Sequence, residues 1–197
     1  MGESFILASL SPRRWELLSN LGISFEVVPS EVDETFRSGE SPVNHALRLA
    51  REKALAVVRR FPHTWVLGAD TIVHIDGEVL GKPDSPGAAR EMLRKLSGRE
   101  HMVITAFALI HGTEGIAVNR AIESSVLFKE LSRDEIEWYI ATNEPYDKAG
   151  SYAVQGKAAF FIKEIRGSHT NVIGLPLSEV VAALEERSLV AFGPEQS

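Results

Sequence analysis

The sequence predicts an α/β domain built on a mixed, twisted sheet with flanking helices. Three observations carry this. Runs with strand-like apolar patterning alternate along the chain with runs of helical period. Asp76-Gly77 stands between two strand-like runs, a hairpin signal that puts antiparallel pairs among the crossover helices. The 197 residues, 44% of them apolar, suffice for one real core. We read a single domain over 1–197, with a loose tail from about 188.

The elements follow in order. Residues 5–9 form the first strand and 12–21 a helix closed by Gly22, with a short strand at 25–29. Residues 31–41 are acidic and loop-like. A long helix over 42–60 shows an apolar stripe at Ala46, Leu47, Ala50, Ala54, Val57 and Val58, and Phe61-Pro62 ends it. Residues 65–75 and 78–83 flank the hairpin turn, and 86–96 is a helix closed by Gly98. Two long strands, 100–111 and 116–128, are joined at Gly112-Thr113-Glu114-Gly115. Ser132 with Glu135 makes a capping box that opens a helix over 134–141. Residues 143–157 are rich in turn formers, 159–165 is a strand and 177–187 the final helix.

Composition excludes several function classes. Lys and Arg number 21 against 27 Asp and Glu, a net charge of -6, which disfavours binding to nucleic acid or to an anionic membrane. With no cysteine there is no disulfide, zinc thiolate or cysteine nucleophile. The first residues lack the pattern of a signal peptide, and no apolar run nears the ~20 residues of a membrane span. These features point to a cytoplasmic protein. The six histidines show no ligand spacing.

Ser11-Pro12, Ser41-Pro42 and Ser85-Pro86 each precede a helical pattern, serine being a favoured N-cap and proline suiting the first helical position. Only Pro12 is followed by two arginines, Arg13 and Arg14. Cations are misplaced at a helix N-terminus, which already carries partial positive charge. Free N–H groups, the dipole, both guanidinium groups and the Ser9 hydroxyl converge on one spot, as a phosphate would require. A solvated arginine pair beside Glu16 is the structural alternative.

Six segments occur in a telling order: LASLSPRRWELL (7–18), LAREKA (49–54), VLGADTIV (66–73), LGKP (80–83), LSGREHMVITA (96–106) and DKAGSYAVQGKAAFFIKEIRGSHTNVIGLPL (147–177). Together they resemble the Maf family of nucleoside triphosphate pyrophosphatases, over nearly the whole chain. The resemblance implies a fold like that of the inosine triphosphate pyrophosphatases (Maf/Ham1), with two lobes around a cleft. It implies cleavage of a nucleoside triphosphate between the α and β phosphates and a divalent metal ion, magnesium or manganese. The older family name, septum formation inhibitor, records a link to cell division. A homodimer is usual for such a fold.

The residues that match are chemically suited to this. Asp70, after the apolar run 65–69, is expected at a strand terminus, where ligand sites of α/β sheets open. It resembles the family's catalytic aspartate, as proton acceptor for the attacking water or as a ligand of the metal. Glu31, Asp33 and Glu34 offer carboxylate oxygen to a hard cation, and Glu34 matches the family's acidic position. Lys53 and Lys82 join Ser9, Arg13 and Arg14 as phosphate contacts. Thr71 and Gln155 match the specificity positions of the branch acting on dTTP and UTP, as does Arg13. A carboxamide complements the N3–H and carbonyls of uracil and thymine. The branch acting on 7-methyl-GTP carries glutamate near this point. Modified pyrimidines are further candidate substrates, and clearance of non-canonical or excess nucleotides is the implied role. Two other readings stay open: a pyrophosphatase for a modified purine such as 7-methyl-GTP, and a non-hydrolytic nucleotide-binding regulator of septum formation. The family often has tyrosine after Gly-Ser, where this chain has His169 after Gly167-Ser168.

Overall fold

A computed structural model describes residues 4–193. β1 (Phe5–Leu7) pairs in parallel with β2 (Phe25–Val27), Phe5 opposite Phe25 and Leu7 opposite Val27. On its other side β1 pairs in parallel with β3 (Val66–Ile75) through Ile6–Val66 and Leu7–Leu67. β4 (Glu78–Leu80) folds back antiparallel on β3. The turn between them has φ of 53° at Asp76 and 78° at Gly77, the paired positive values of a two-residue hairpin loop. β5 (Glu100–His111), β6 (Gly115–Phe128) and β7 (Ile162–Arg166) complete a seven-stranded sheet ordered β2-β1-β3-β5-β6-β7, with β4 beside β3. β6 and β7 are antiparallel, so the sheet is mixed, as the alternation of hairpins and helices requires.

The helices are α1 (Pro12–Ser19), α2 (Pro42–Val58), α3 (Pro86–Leu96), α4 (Arg133–Ile140), α5 (His169–Ile173) and α6 (Leu177–Glu185). The three Ser-Pro starts are not equivalent. Ser41 accepts from the Asn44 N–H and Ser85 from the Ala88 N–H, whereas Ser11 makes no side-chain capping bond. The capping box of Ser132 and Glu135 is complete.

Three expectations are corrected. Asp70 does not end its strand, since β3 runs on to Ile75. It still lies at an opening, because the pairing of β1 with β3 stops at Leu7–Leu67. The strand expected over 159–165 begins only at Ile162; a 3-10 turn, Lys157–Phe161, precedes it and buries Ala158 and Phe161 three residues apart. The run AAFFI fits either period, and tertiary burial chose the helical one. α5 was missed, being too short to show a period; the Ser168 hydroxyl accepts from the Asn171 N–H at its start. Of the tail expected over 188–197, residues 194–197 lie outside the described residues. Leu189 is buried and its N–H donates to the Leu184 carbonyl at 3.0 Å.

The chain folds as two compact units, and β3, β5 and β6 each contribute to both. The first unit comprises the segment up to Asp70, Ala106–Ala121 and the segment from Gly174. Its core includes Phe5, Leu7, Leu18, Leu49, Val66 and Leu67, all at most 2% exposed. The second comprises Thr71–Thr105 and Ile122–Ile173. Val73, Leu80, Leu93, Val103, Phe128, Tyr139 and Phe161 pack within it.

Candidate active site

In the first unit the segments leaving the C-terminal ends of the parallel strands β1 and β2 carry expected residues, as where open α/β sheets bind ligands, and the middle of the parallel strand β3 carries Asp70. The chain leaving β1 carries Ser9 and enters α1 with Arg13 and Arg14. The chain leaving β2 carries Glu34, and β3 carries Asp70. Arg14 is buried, its Nε donating to the Gly174 carbonyl at 2.8 Å and a terminal nitrogen to Ser9 Oγ at 3.1 Å. Burial pushes its pKa down; the charges of Asp70 and Glu34 oppose that shift and Arg13 adds to it. Ser9 Oγ also accepts from the Ser11 N–H at 3.2 Å. Both of its partners are obligate donors, so any further bond from this hydroxyl is donated, which suits an anionic oxygen. Arg13 is half-buried. With no side-chain cap from Ser11 and no acidic residue in the first turn, the α1 N-terminus keeps its positive character.

Lys53, on α2, bridges the two acidic positions. Its ammonium lies 2.7 Å from Asp70 Oδ1 and 2.6 Å from Glu34 Oε1. The Lys53 and Asp70 side chains are each 11% exposed, the Glu34 side chain 55%. This is the sense in which a lysine on an apolar helix face is used here: its stem runs through the packing and its head meets carboxylates.

Two features that sequence reasoning missed hold this geometry. The first is Gly68. A Cβ there would collide with the Ala50 carbonyl oxygen and stand 2.7 Å from the Ala54 nitrogen, both backbone atoms of α2. Glycine lets α2 lie against β3, and so lets Lys53 reach Asp70 two residues further along. The sequence signal was a glycine inside the apolar run before Asp70. The second is the pinning of the acidic loop to α2. Arg48 donates to the Thr35 carbonyl at 3.0 Å and to Glu40 through Nε at 2.7 Å. Glu40 also meets His45 Nδ1 at 2.8 Å, and Phe36 stacks on the His45 ring at 3.5 Å. The Arg48 bond holds the Glu40 carboxyl well below its ordinary pKa. The loop carrying Glu34 is therefore tethered on the residue after it, where the sequence showed only an acidic, loop-like segment.

The remaining expected residues lie in the second unit. Thr71 Oγ1 is 3.0 Å from Thr105 Oγ1, on β5. Lys82 is exposed, after Gly81, whose carbonyl accepts from the Gly150 N–H at 3.1 Å. Gln155 is exposed on a loop that turns at Gly156, where φ is 126°. Glu144 secures that loop by accepting the Lys157 N–H on both carboxylate oxygens at 3.1 Å. His169 is exposed at the first position of α5.

Among the described residues no group of three or more His, Asp, Glu or Cys side chains could hold a metal ion. Asp70 and Glu34 are two carboxylates converging on one cation, the Lys53 ammonium. That donor set fits magnesium or manganese bound in company with a phosphate substrate, since magnesium usually takes one or two carboxylates and completes its shell with waters and phosphate oxygens. It does not fit an all-protein cage.

The fold and this arrangement define an α/β protein with an anion-receptive helix start beside a paired-carboxylate centre. The comparisons then place it. The chain matches the family described as Maf-like protein over residues 4–187, and it belongs to that family. A dTTP/UTP pyrophosphatase of Syntrophus aciditrophicus (strain SB) is 57% identical over 194 residues, 98% of this chain and 95% of its own length. One from Pyrococcus abyssi (strain GE5 / Orsay) is 51% identical over 180 residues, 91% and 94% of the two chains. Among solved structures, the Staphylococcus aureus Ham1 protein is 14% identical with a TM-score of 0.50, covering 93% of this chain and 99% of its own, a likeness of fold. No helix among the described residues is long and apolar enough to cross a membrane.

Proposed function

We infer that this chain is a nucleoside triphosphate pyrophosphatase, a hydrolase of acid anhydrides that cleaves dTTP and UTP to the monophosphate and pyrophosphate. The observation that carries this is the Asp70–Lys53–Glu34 arrangement beside Ser9 and the α1 N-terminus. Binding alone would not call for two carboxylates beside a triphosphate, whereas hydrolysis needs a proton acceptor for water. Relatives at 57% and 51% identity over nearly their whole length are called dTTP/UTP pyrophosphatases, which supports the substrate assignment.

Asp70 accepts the proton of the attacking water, and Lys53 orients its carboxylate through Oδ1. Asp70 and Glu34 would hold the divalent metal, which when bound polarises phosphate oxygens and activates water. Ser9 donates its hydroxyl proton to a phosphate oxygen. Arg13, with Lys82, neutralises the charge that grows on the departing diphosphate, a contact worth most in the transition state. Arg14, enclosed behind Ser9, holds that hydroxyl in place and adds positive potential. Thr71 and Gln155 read the base. Modified pyrimidine triphosphates fall within the same chemistry, and clearance of such nucleotides from the cytoplasmic pool is the role this activity serves. Assembly as a homodimer belongs to the same proposal and is read by light scattering.

The test is pyrophosphate release from dTTP and UTP by the purified protein with magnesium or manganese. EDTA is expected to abolish it, and Asp70→Asn to lower kcat by about 10³-fold, within the range for loss of a general base. Full turnover by Asp70→Asn refutes the mechanism. Release from no nucleoside triphosphate at all favours a non-hydrolytic binding role instead.

A further inference from the structure

The helix α2 grips the loop after Glu34 at Thr35, Phe36, Arg37 and Glu40 in turn. His45, Arg48 and Glu52 stand three and four residues apart, so they share one face of that helix. Arg48 engages Glu40 as a fork, Nε to Oε1 at 2.7 Å and a terminal nitrogen to Oε2 at 2.9 Å. The same terminal nitrogen donates to the Thr35 carbonyl at 3.0 Å, and the other donates to Glu52 at 3.0 Å. Glu52 accepts in turn from Arg37 at 2.8 Å. An ionised carboxylate only accepts, so His45 Nδ1 carries a proton and donates it to Glu40 Oε2 at 2.8 Å. That bond sets the plane of the imidazole on which Phe36 stacks, with the two rings 2° from parallel. The Arg48 and Glu40 side chains are only 12% and 10% exposed, so this fork is shielded from water.

Glu34 needs such support. Its side chain is 55% exposed where it meets the Lys53 ammonium, and an exposed ion pair is worth too little to hold a flexible carboxylate in one place. Lys53 also meets Asp70, and two carboxylates drawn to one point repel each other. The residue after Glu34 is held at both ends. The Thr35 N–H donates to Asp33 Oδ1 at 2.9 Å, and its carbonyl accepts from Arg48. The backbone that carries Glu34 is thereby fixed relative to α2, the helix that also carries Lys53.

We propose that Arg48 is a positioning residue for Glu34: by clamping Thr35 and Glu40 onto α2 it sets Glu34 beside Asp70, and so sets the affinity of this carboxylate pair for a divalent cation. This rests on the pyrophosphatase reading, in which Asp70 and Glu34 hold the metal, and extends it. Groups that orient a ligand without touching the metal govern affinity nearly as much as the ligand does.

The experiment measures manganese binding by electron paramagnetic resonance. A dTTP analogue with methylene in place of the α–β bridging oxygen is present, so no turnover is needed. Arg48→Gln is expected to raise the manganese Kd about tenfold, the low end for loss of a group that orients a metal ligand. Glu34→Gln is expected to raise it too. Adding Arg48→Gln to Glu34→Gln is expected to raise it no further, because the clamp then has no carboxylate to place. A merely structural role would lower Tm and the folded fraction, and its effect on Kd would persist in the Glu34→Gln background. Phe36→Ala is the milder variant: Phe36 is 40% exposed, and the change keeps every charge in the network. Loss of its stacking on His45 is expected to raise Kd about threefold. An unchanged Kd in folded Arg48→Gln overturns the proposal, as it does in Phe36→Ala if Arg48→Gln does not fold. An undiminished effect in the Glu34→Gln background overturns it too, as does wild-type protein that binds no manganese. Pyrophosphate release by the wild type is followed separately. Its absence with manganese bound defeats the hydrolase reading, while the binding measurements still decide this one.

Discussion

Replacing Gly68 by alanine tests whether close packing of α2 on β3 builds the proposed catalytic centre. The added Cβ would stand 2.7 Å from the Ala54 nitrogen and 3.0 Å from the Ala54 Cβ, and closer still to the Ala50 carbonyl oxygen. Ordinary contact of such atoms needs about 3.5 Å, so α2 must back away from β3 by about 1 Å, because helix backbone has no rotamer to change. Overpacking of this kind costs typically 1–3 kcal/mol, and backbone neighbours put Gly68→Ala near 3. For a chain of this size that lowers Tm by about 6–12 °C. The same retreat would stretch the 2.7 Å bond between Lys53 and Asp70. The flexible lysine stem recovers part of the distance, so kcat/KM for dTTP falls about tenfold, against about a hundredfold for an uncorrected 1 Å misplacement. Gly87→Ala is the control: it lies in α3, and its Cβ would meet nothing nearer than Ser85 Oγ at 3.8 Å. It is expected to raise stability by about 0.5 kcal/mol and to leave activity alone. The assays are a thermal melt and steady-state pyrophosphate release. A Gly68→Ala protein melting within about 2 °C of wild type with unchanged kcat/KM refutes the reasoning.

The Ser-Pro starts separate by the same logic. Ser41→Ala removes a capping bond and is expected to cost about 1 kcal/mol in urea denaturation, while Ser11→Ala, which has no such bond to lose, costs no more than a few tenths. Equal costs would show that the Ser11 hydroxyl caps α1 in solution. Stability should also fall in acid through His101, whose Nε2 meets the Tyr152 hydroxyl at 2.7 Å in the core of the second unit. Burial pushes this imidazole from 6.5 down to about 4, so the unfolded chain takes up its proton first. The contribution is full above about pH 6.5 and is lost as pH falls towards 4, by roughly 3 kcal/mol at most. Urea midpoints for the wild type and His101→Gln at pH 7.5 and 4.5 read this directly, and parallel slopes in the two proteins would count against it.

Much of the fold was legible because the relevant bonds are local. Asp76-Gly77 makes its hairpin through its own φ values, and Ser132 and Glu135 cap each other three residues apart. Pro86 to Leu96 and Glu100 to His111 have the bounds that their patterns predict. Where local patterns were ambiguous, as in AAFFI, or too short, as in α5, burial elsewhere in the chain decided. The site was legible as a set of residue types: anion-receptive groups after β1, an acidic loop after β2, an aspartate on β3. The support behind them was not. Gly68 read as one more glycine, and Arg48 as one more cation on a helix.

The sequence by itself determined where elements start and turn and which side chains carry charge. Those outcomes depend on residues within a turn or two of one another. Tertiary structure alone decided that Lys53 meets Asp70, 17 positions away, that the Thr105 hydroxyl donates to the carbonyl of Asn171, 66 positions away, and that Arg14 is locked by Gly174, 160 positions away. The reason is geometric. Pairing β1 in parallel with both β2 and β3 brings the ends of β1 and β2 to the middle of β3, where Asp70 stands, and hydrogen-bond polarity passes between side chains only once packing has excluded water from them.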